Sequence, residues 1–320
     1  MHIVILGGGG FLGNRLAKEL LQLKMIGNEA ISKVTSIDRV FSQTISHPIL
    51  EILEGDFCDL KIAERIVSTK PDIIFHLAAV VSGEAEKNFE LGMNVNLHGS
   101  LQLLEQCRIL NHKPKIVFAS SCAVFGGETS KIIDDDTAPQ PLSSYGTQKA
   151  MVDLLMNDYS RRGFIDARCL RLPTITVRPG KPNAATSSFI SSIIREPLNG
   201  MNTTYPVQPN TKVWIQSPKR VILNFIHAAT LSEENIGLNR VINLPGITVT
   251  INEMIEALRK LSNDSVVERI SYKPDSFIQS IVLTWPPNFE TSRALKLGFK
   301  SDESISEIIQ AYITEEGIKI

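Results

Sequence analysis

Tyr145 and Lys149 are the two residues whose types and spacing most directly suggest chemistry. They stand four positions apart in a segment of helical periodicity, so both side chains project from one face of the predicted helix. A free tyrosine has a pKa of about 10 and is a poor base at neutral pH. A nearby ammonium group stabilises the phenolate and lowers that pKa. The pair predicts a tyrosine that exchanges a proton with a substrate, although such pairs also arise by chance.

Ser120 and Ser121 stand at the end of a predicted strand and strengthen this interpretation. Ligands of doubly wound sheets bind beyond the carboxyl ends of the strands, where both hydroxyl groups are expected. One serine would hold a substrate oxygen in line with Tyr145. Oxidation of a secondary alcohol needs removal of the hydroxyl proton while the hydride leaves to a cofactor. The three residue types together predict that reaction.

A glycine-rich stretch, Gly7-Gly8-Gly9-Gly10-Phe11-Leu12-Gly13, follows the first predicted strand directly and opens the first predicted helix. Glycines at a three-residue spacing let the chain turn tightly and let the backbone approach a pyrophosphate. The amino terminus of the helix attracts the phosphate charge. We therefore expect Gly7, Gly10, Phe11 and Leu12 to bind a dinucleotide, a flexible glycine turn being the alternative.

Acidic residues at the ends of the second and third predicted strands refine the identity of the cofactor. Asp38 can accept hydrogen bonds from both hydroxyls of the adenosine ribose and repels a 2′-phosphate, which favours NAD over NADP. Arg39 is the opposing signal, because an arginine there can accommodate that phosphate. Asp56 and Phe57 could flank the adenine, or Asp56 could cap the helix that follows. The sequence thus predicts NAD, held in part by these four residues.

Short β-branched runs alternate with longer segments of helical periodicity over residues 1–172. The predicted strands are His2–Leu6, Lys33–Ile37, Ile49–Glu54, Asp72–Leu77, Lys115–Ala119 and Ile165–Leu172. The predicted helices are Phe11–Lys24, Leu60–Ser68, Phe89–Leu110 and Tyr145–Arg162. Strands that are apolar on both faces indicate a parallel sheet covered on both sides. The predicted fold class is therefore α/β, a doubly wound parallel sheet of the Rossmann kind.

The composition of the sequence changes after Leu172, where a polar stretch contains several prolines. We expect residues 1–172 to form an NAD-binding domain, completed by part of 218–250. Residues 173–320 are expected to form mainly a smaller α+β lobe that binds the substrate. Two later segments regain helical periodicity, Ile251–Leu261 and Asp302–Thr314.

Composition and charge restrict the possible partners. The chain has 320 residues, of which 43% are hydrophobic and 21% charged, and its formal net charge is -1. A chain so close to neutral lacks the excess of positive charge that binds nucleic acid or an anionic membrane. The amino terminus shows neither a signal-peptide pattern nor an apolar run long enough to span a bilayer, so we expect a cytoplasmic protein. Cys58, Cys107, Cys122 and Cys169 fit neither a disulfide framework nor a zinc site, and no metal is expected.

The motifs together resemble the extended short-chain dehydrogenase/reductases, the family that contains the sugar-nucleotide epimerases and dehydratases. The resemblance covers nearly the whole chain. It rests on the glycine stretch, Asp38, Gly55-Asp56, His76-Leu77-Ala78-Ala79, Asn96, Phe118-Ala119-Ser120-Ser121, Ser144-Tyr145-Gly146-x-x-Lys149 and Ser292-Arg293-Ala294-x-x-x-Leu297-Gly298-Phe299. It implies a catalytic triad of Ser121, Tyr145 and Lys149, with Ser121 rather than Ser120 as the serine.

The same resemblance implies further contacts with the cofactor. Leu77, Ala78 and Ala79 would line the nicotinamide side, and Pro173 would touch the nicotinamide. Asn96 would fix the helix below it. Tyr145 and Lys149 of the triad would also contact the cofactor.

Three stretches resemble more closely a branch of the family that acts on four-carbon sugar acids: His76–Gly83, Asn157–Phe164 and Leu170–Asn183. This likeness implies oxidation of the C2 hydroxyl of D-erythronate to 2-oxo-tetronate with NAD, the triad tyrosine being the general base. An arginine or lysine could grip the substrate carboxylate, or could be a solvated loop charge. The expected substrate contacts are Ser82, Ser121, Tyr145, Arg178 and Lys181.

Other residues of the later lobe carry weaker signals. Ser187, Ser188 and Arg195 fit the substrate side, but they fit equally well as caps and surface residues of a helix. Trp214 is expected in the core or at the surface.

Two other functions compete with the dehydrogenase. A sugar-nucleotide epimerase uses the same tyrosine and lysine but retains its cofactor through the cycle, whereas a 4,6-dehydratase needs an acidic pair where this chain has Cys122 and Ala123. A cofactor-sensing or interaction protein could share the fold, and the intact triad disfavours it. The family likeness also implies a homodimer formed through the long helices Phe89–Leu110 and Tyr145–Arg162.

Overall fold

A computed structural model describes residues 1–43, 45–127, 132–180 and 185–319 of the chain. The strands are β1 (His2–Leu6), β2 (Met25–Ile26), β3 (Glu29–Ala30), β4 (Lys33–Asp38), β5 (Leu50–Glu54), β6 (Ile73–His76), β7 (Lys115–Ser121), β8 (Asp166–Leu172), β9 (Thr174–Ile175), β10 (Thr203–Tyr205), β11 (Lys212–Gln216), β12 (Val241–Asn243), β13 (Ile247–Thr250) and β14 (Ile270–Tyr272).

The α-helices are α1 (Phe11–Leu23), α2 (Leu60–Ser68), α3 (Ser82–Lys87), α4 (Phe89–Gly92), α5 (Ser100–Ile109), α6 (Ser144–Arg161), α7 (Ser188–Leu198), α8 (Pro218–Thr230), α9 (Glu233–Ile236), α10 (Ile251–Leu261), α11 (Asp264–Val267), α12 (Ser276–Val282), α13 (Ser292–Lys296) and α14 (Ile305–Glu315). A π-helical segment, Met93–Gly99, joins α4 to α5, and a 3₁₀ turn, Cys122–Val124, follows β7. Among these described helices, none has the length and apolar composition needed to cross a membrane.

The main sheet is parallel, and within the described residues it has seven strands in the order β12-β8-β7-β6-β1-β4-β5. The chain runs from β1 outward to β4 and β5, then returns to β6 on the other side of β1. The order therefore reverses between β1 and β6, and the carboxyl ends of the strands form a crevice there. The predicted α/β doubly wound fold is confirmed.

Both faces of the sheet are covered, which explains why β1 is apolar from Ile3 to Leu6. Ile3 and Ile5 face the core formed with α1 and α8, where Phe225 is fully buried. Val4 and Leu6 face the opposite core, formed with α2, α5 and α6. Each fully buried aliphatic side chain contributes about 1.5–3 kcal/mol, so the strand bearing the glycine-rich stretch is firmly held.

The second region contains a small mixed sheet of order β13-β11-β9 and a parallel pair, β10 and β14. Helices α7, α10 and α14 pack into its core through residues such as Ile193, Leu258 and Ile309. Helix α10 begins at Ile251, as predicted. Thr250 and Glu253 form a capping box, in which the side chain of each accepts a hydrogen bond from the backbone nitrogen of the other.

Two later elements leave this region and return to the main sheet. Strand β12 pairs with β8, and α8 packs its apolar face onto the sheet beside α1. They lie within the 218–250 stretch that was expected to complete the first domain. The domain boundary at 172/173 stays a prediction.

Two predicted helices differ from the structure. The helix predicted over Phe89–Leu110 is interrupted by the π-helical segment, which accompanies the inward placement of the Asn96 side chain. The last helix begins at Ile305 rather than at Asp302, because Ser304 caps it while the Asp302 carboxylate accepts hydrogen bonds from Ser217. Competing side-chain contacts, rather than periodicity, decide both boundaries.

Candidate active site

A cavity of about 1190 Å³ opens at the carboxyl ends of the central strands and extends between the main sheet and the second region. It lies at the point where the strand order reverses, the usual ligand position in this architecture. Predicted residues lining it are Gly7, Gly10, Phe11, Leu12, Leu77, Ala79, Ser82, Ser121, Tyr145, Lys149, Pro173 and Arg178. Lys181, the other predicted carboxylate ligand, lies outside the described residues.

The glycine-rich stretch fits a pyrophosphate. Gly7 has a φ of 86°, and a Cβ there would lie 2.7 Å from the Ala78 nitrogen. A Cβ on Gly13 would lie 2.1 Å from the carbonyl oxygen of Gly7, so glycine lets α1 pack directly on the loop. The N-cap residue Gly10 provides no side-chain cap, and the first turn of α1 faces the cavity. The helix amino terminus can therefore hold an anion.

Asp38 ends β4 beside this loop. Its carboxylate accepts hydrogen bonds from the backbone nitrogens of Gly9, at 3.0 Å, and Arg39, at 2.7 Å. These contacts fix a half-buried carboxylate next to the glycine stretch, where a ribose fits, whereas the Arg39 side chain is exposed. The arrangement suits NAD, because a fixed anion repels a 2′-phosphate.

Asp56 and Phe57 follow β5 and have different surroundings. Asp56 accepts a hydrogen bond from the Cys58 nitrogen at 3.0 Å, and Asp59 rather than Asp56 caps α2. Phe57 is 7% exposed and packs edge-on against His76, so any cofactor contact at Phe57 would come through its backbone. The Phe57 side chain is part of the hydrophobic core.

Tyr145 lies in the first turn of α6, which Ser143 caps by accepting a hydrogen bond from the Gly146 nitrogen at 3.1 Å. Burial raises the pKa of the Tyr145 phenol to about 12. A hydrogen bond with Ser121 and the positive charge of Arg178 oppose that rise. The lowered pKa expected from the tyrosine and lysine spacing is not found in the protein alone, because burial outweighs its neighbours.

Lys149 lies one helical turn further along α6, with 1% of its surface exposed. Its Nζ donates a hydrogen bond to the Ala119 carbonyl oxygen at 2.8 Å and lies 5.7 Å from the centre of the Tyr145 ring. Burial lowers the pKa of Lys149 to about 8, and the charge of Asp153 opposes this shift. The ammonium is thus fixed beneath the phenol, with a proton that is held less tightly than usual.

Asn96 is buried behind the cavity and is not among the residues that line it. Its Oδ1 accepts a hydrogen bond from the Val80 nitrogen at 2.8 Å, and its Nδ2 donates to the Val80 carbonyl oxygen at 3.1 Å and to Gln148 at 2.8 Å. The amide therefore ties the loop after β6 to α6. Asn96 holds the site together from behind.

Arg178, which follows β9, lines the cavity and is held there by hydrogen bonds. Its Nε donates to the Ile175 carbonyl oxygen at 3.0 Å, and its Nη2 donates to the Ser187 hydroxyl at 2.8 Å. Arg195 in turn donates to the Arg178 carbonyl oxygen at 2.7 Å. Burial lowers the pKa of Arg178. A guanidinium has five N–H groups, so in this orientation it can still grip a carboxylate.

The cavity has lining residues that sequence reasoning missed or ranked low. Trp214 on β11 lines it and stacks on Phe289 with ring centroids 5.2 Å apart. Ser187, Ser188 and Arg195, ranked low because they also suit a helix surface, line it too. Nothing in the sequence marks a tryptophan on a strand as more than core, because its position depends on tertiary packing.

A comparison with protein families agrees with this arrangement. The model of the NAD-dependent epimerase/dehydratase family matches residues 3–221. The chain belongs to this family. The family's cofactor confirms the prediction of NAD, and the resemblance described from the motifs is confirmed.

Individual members of the NAD-dependent epimerase/dehydratase family narrow the class of enzyme. The chain is 48% identical to D-erythronate dehydrogenase of Cupriavidus necator, over 99% of each chain. It is 42% identical to D-erythronate dehydrogenase of Haemophilus influenzae, over 98% of this chain and 99% of the relative. The chain is thus an NAD-dependent oxidoreductase acting on a CH–OH group, as predicted.

A solved structure of the family is also similar. The crystal structure of the nucleoside-diphosphate-sugar epimerase from Agrobacterium tumefaciens superposes with a TM-score of 0.95 and 42% identity. The match covers 100% of this chain and 95% of that one. The architecture around the cavity is therefore shared by family members with different names.

Proposed function

We propose that this chain oxidises the C2 hydroxyl of D-erythronate to 2-oxo-tetronate with NAD. Two relatives that match nearly the full chain carry the name D-erythronate dehydrogenase. The observation that carries the proposal is that Arg178 and Tyr145 line the same cavity. A carboxylate paired with Arg178 brings the hydroxyl of the adjacent carbon to the phenol, which is the geometry of a 2-hydroxy acid.

In the proposed mechanism Ser121 holds the hydroxyl oxygen of the substrate by a hydrogen bond. Tyr145 in its phenolate form takes the hydroxyl proton, and the C2–O bond becomes a carbonyl. The Lys149 ammonium stabilises the phenolate from below. The chemistry that bound NAD would supply is acceptance of the C2 hydride, so that the reaction would yield NADH. Arg178 keeps the carboxylate fixed, and Ser82 is positioned to hydrogen-bond the same group or another hydroxyl.

The residues that would hold NAD follow from the same geometry. The backbone of Gly7 and Gly10 and the first turn of α1 would take the pyrophosphate. Asp38 would take the adenosine ribose. Leu77, Ala79 and Pro173 would flank the nicotinamide, a role in the cavity wall that suits small apolar residues.

The decisive experiment follows NADH by its near-ultraviolet absorbance, with purified protein, NAD and candidate substrates in parallel. D-erythronate, L-threonate and UDP-sugars serve as those candidates. The proposal expects NADH with D-erythronate. The absence of NADH from either acid, together with conversion of a UDP-sugar, would contradict it.

A sugar-nucleotide epimerase is the second candidate, and the name of the similar Agrobacterium tumefaciens structure favours it. It would use the same triad, Ser121, Tyr145 and Lys149. An epimerase returns the hydride to its substrate, so no NADH would accumulate. The assay above therefore separates the two functions without any variant.

We further propose a homodimer formed through α5 and α6. Both helices carry exposed apolar side chains, including Ile109 on α5 and Met151 and Leu154 on α6, the last with 69% of its surface exposed. A two-fold interface would cover the same patch on each copy. Light scattering of the purified protein should give twice the monomer mass, and Leu154→Glu should halve it.

The cytoplasm is the compartment that we propose for this enzyme. The four cysteines are free thiols, and Cys107 and Cys169 are buried in the core. Free thiols suit a reducing compartment. Fractionation of cells producing the natural protein tests this, and recovery in a secreted fraction would contradict it.

A further inference from the structure

Asp153 is a buried carboxylate for which the proposed mechanism has no use. It follows Tyr145 and Lys149 at the next four-residue step of α6, so the three side chains share one face of the helix. Only 1% of its surface is exposed. A buried charge is costly unless a partner compensates it, so the position calls for a physical explanation.

Arg171 on β8 is the partner of this carboxylate. Its Nε donates a hydrogen bond to Asp153 Oδ2 at 3.0 Å, and its own surface is 6% exposed. The guanidinium also lies 4.8 Å from the centre of the Phe125 ring, which fixes it from another side. Burial raises the pKa of Asp153, and the charge of Arg171 and the hydroxyl of Ser120 oppose the rise. The ion pair therefore spans α6 and β8 directly beyond Lys149.

Such a pair is not explained by stability alone. Replacing a buried ion pair by apolar residues of similar size is often neutral or stabilising, because desolvation cancels much of the attraction. What the pair supplies here is a carboxylate held in place one helical turn from an almost fully buried ammonium group. Other titratable groups also lie near Lys149.

The groups facing Lys149 come from four elements. His76 on β6 is buried, and burial together with the Lys149 charge lowers the pKa of His76 to about 3, so it is neutral near pH 7. Strand β7 contributes the Ala119 carbonyl oxygen, and β8 contributes Cys169, a buried thiol with a raised pKa. Arg171, also on β8, faces Asp153. Helix α6 contributes the phenol of Tyr145 and the carboxylate of Asp153. Asp153, ion-paired with Arg171, is the carboxylate among these described neighbours.

We propose that Asp153, held by Arg171, is a positioning residue that keeps Lys149 in its ammonium form at neutral pH, and thereby sets the pH range over which Tyr145 can take a proton. The inference rests on the proposed function only in treating Lys149 as the partner of Tyr145. Burial by itself drives Lys149 towards the neutral amine, and the Asp153 charge is the largest opposing influence. Without it, less of the enzyme would carry the charge that stabilises the phenolate.

The test is Asp153→Asn, which keeps an oxygen acceptor for Arg171 and removes the charge. The titration of Lys149 is followed by NMR of ¹⁵N-labelled lysine side chains, assigned with Lys149→Arg. We expect its midpoint to fall by about one pH unit in Asp153→Asn, the order of magnitude for loss of an opposite charge one helical turn away. This measurement needs no substrate, so it remains valid if D-erythronate is not turned over.

Kinetics provides the second readout. In the variant, the limb of the kcat profile that belongs to Lys149 should move to lower pH by the same amount as the NMR midpoint. Asp153→Glu restores a carboxylate and should bring the profile back. Asp158→Asn removes an exposed carboxylate of the same helix, which pairs with Arg161, and should change neither readout.

The proposal is overturned by an unmoved Lys149 midpoint in folded Asp153→Asn. It is equally overturned by a loss of kcat that is uniform across pH, because a purely structural role gives that result. If Asp153→Asn does not fold, the double variant with Arg171→Gln removes both charges and leaves no unpaired arginine. A downward shift is still expected there, because Asp153 and not Arg171 is among the charges that act on Lys149, but it should be smaller than in the single variant. An unmoved midpoint, or one that rises, counts against the proposal.

Discussion

Asn96 donates a hydrogen bond from Nδ2 to Oε1 of Gln148 at 2.8 Å, and this contact joins the π-helical segment to the helix that bears Tyr145 and Lys149. The same amide makes two hydrogen bonds with the backbone of Val80, in the loop that follows β6. One side chain thereby sets the distance between the expected nicotinamide wall and the catalytic helix.

Asn96→Ala should disturb stability and catalysis together. It leaves the Val80 backbone groups and the Gln148 amide oxygen without partners, which costs about 1–3 kcal/mol for a buried group. We expect urea denaturation to show a lower free energy of unfolding and kinetics to show a lower kcat. Asn94→Ala, at an exposed position of the same π-helical segment, is the matched control. Equal stability and activity of the two variants would remove the structural role given to Asn96.

Tyr145→Phe should abolish most of the turnover while leaving the fold intact. The phenol is the proposed acid/base group, and such groups contribute about 100-fold to 10,000-fold to the rate. NAD affinity, measured by fluorescence titration, should change little because the ring remains. Tyr159, on the outer part of the same helix, donates a hydrogen bond from its hydroxyl to Glu105 of α5. Tyr159→Phe removes that hydroxyl and should keep normal turnover. Full activity of Tyr145→Phe would exclude the phenol from the mechanism.

Arg178→Lys should weaken binding of the acid without affecting the cofactor. Lysine keeps the charge but loses the planar fork that pairs with a carboxylate. Hydrogen bonds to charged groups contribute about 1.5–3 kcal/mol, so KM for D-erythronate should rise by roughly tenfold to a hundredfold. KM for NAD should stay constant. Arg162→Lys, at an exposed position, controls for the exchange itself. If only KM for NAD changed, Arg178 would contact the cofactor and not the acid, which would contradict this prediction.

Local signals allowed much of this site to be predicted from the sequence. Strand β1, the glycine stretch and helix α1 are contiguous, so their geometry follows from short-range rules. Tyr145 and Lys149 share a helix face for the same reason. Asp38 ends a strand whose limits are set by its apolar run. None of these inferences needed knowledge of tertiary contacts.

The features that could not be predicted depend on long-range packing. Trp214 reaches the cavity because β11 pairs with β9 beside Pro173, a contact between distant segments. The orientation of Arg178 is set by Ser187, across a segment with no regular spacing. Burial raises the pKa of Tyr145 in the protein without cofactor, and burial cannot be read from a four-residue spacing.

Asp38→Asn should relax the preference for NAD. Asparagine keeps an oxygen acceptor for the Gly9 nitrogen but removes the charge that repels a 2′-phosphate. KM for NAD should rise roughly tenfold through loss of a charged hydrogen bond to the ribose, and activity with NADP should appear. Asp59→Asn makes the same change of charge at the N-cap of α2, where asparagine also caps, and should alter neither cofactor. An unchanged ratio of NAD to NADP activity would count against the ribose contact.

His76 should make the stability of the protein depend on pH. Its Nε2 is hydrogen-bonded to the Ser100 hydroxyl at 2.9 Å, and burial, with a contribution from Lys149, lowers its pKa to about 3. In the unfolded chain a histidine has a pKa of about 6.5. Between these values the unfolded state binds the extra proton, so the free energy of unfolding falls as pH decreases through this window.

From pH 7 to pH 5 this one group should lower the free energy of unfolding by about 2 kcal/mol, at about 1.4 kcal/mol per pH unit below the unfolded pKa. Urea denaturation at the two pH values measures the loss. His76→Gln has no group that titrates there, so its loss over the same interval should be smaller by that amount. His98→Gln removes an exposed histidine of the neighbouring π-helical segment and should behave like the unmodified protein. Identical pH dependence in all three proteins would show that His76 is charged in the folded state, contrary to its burial.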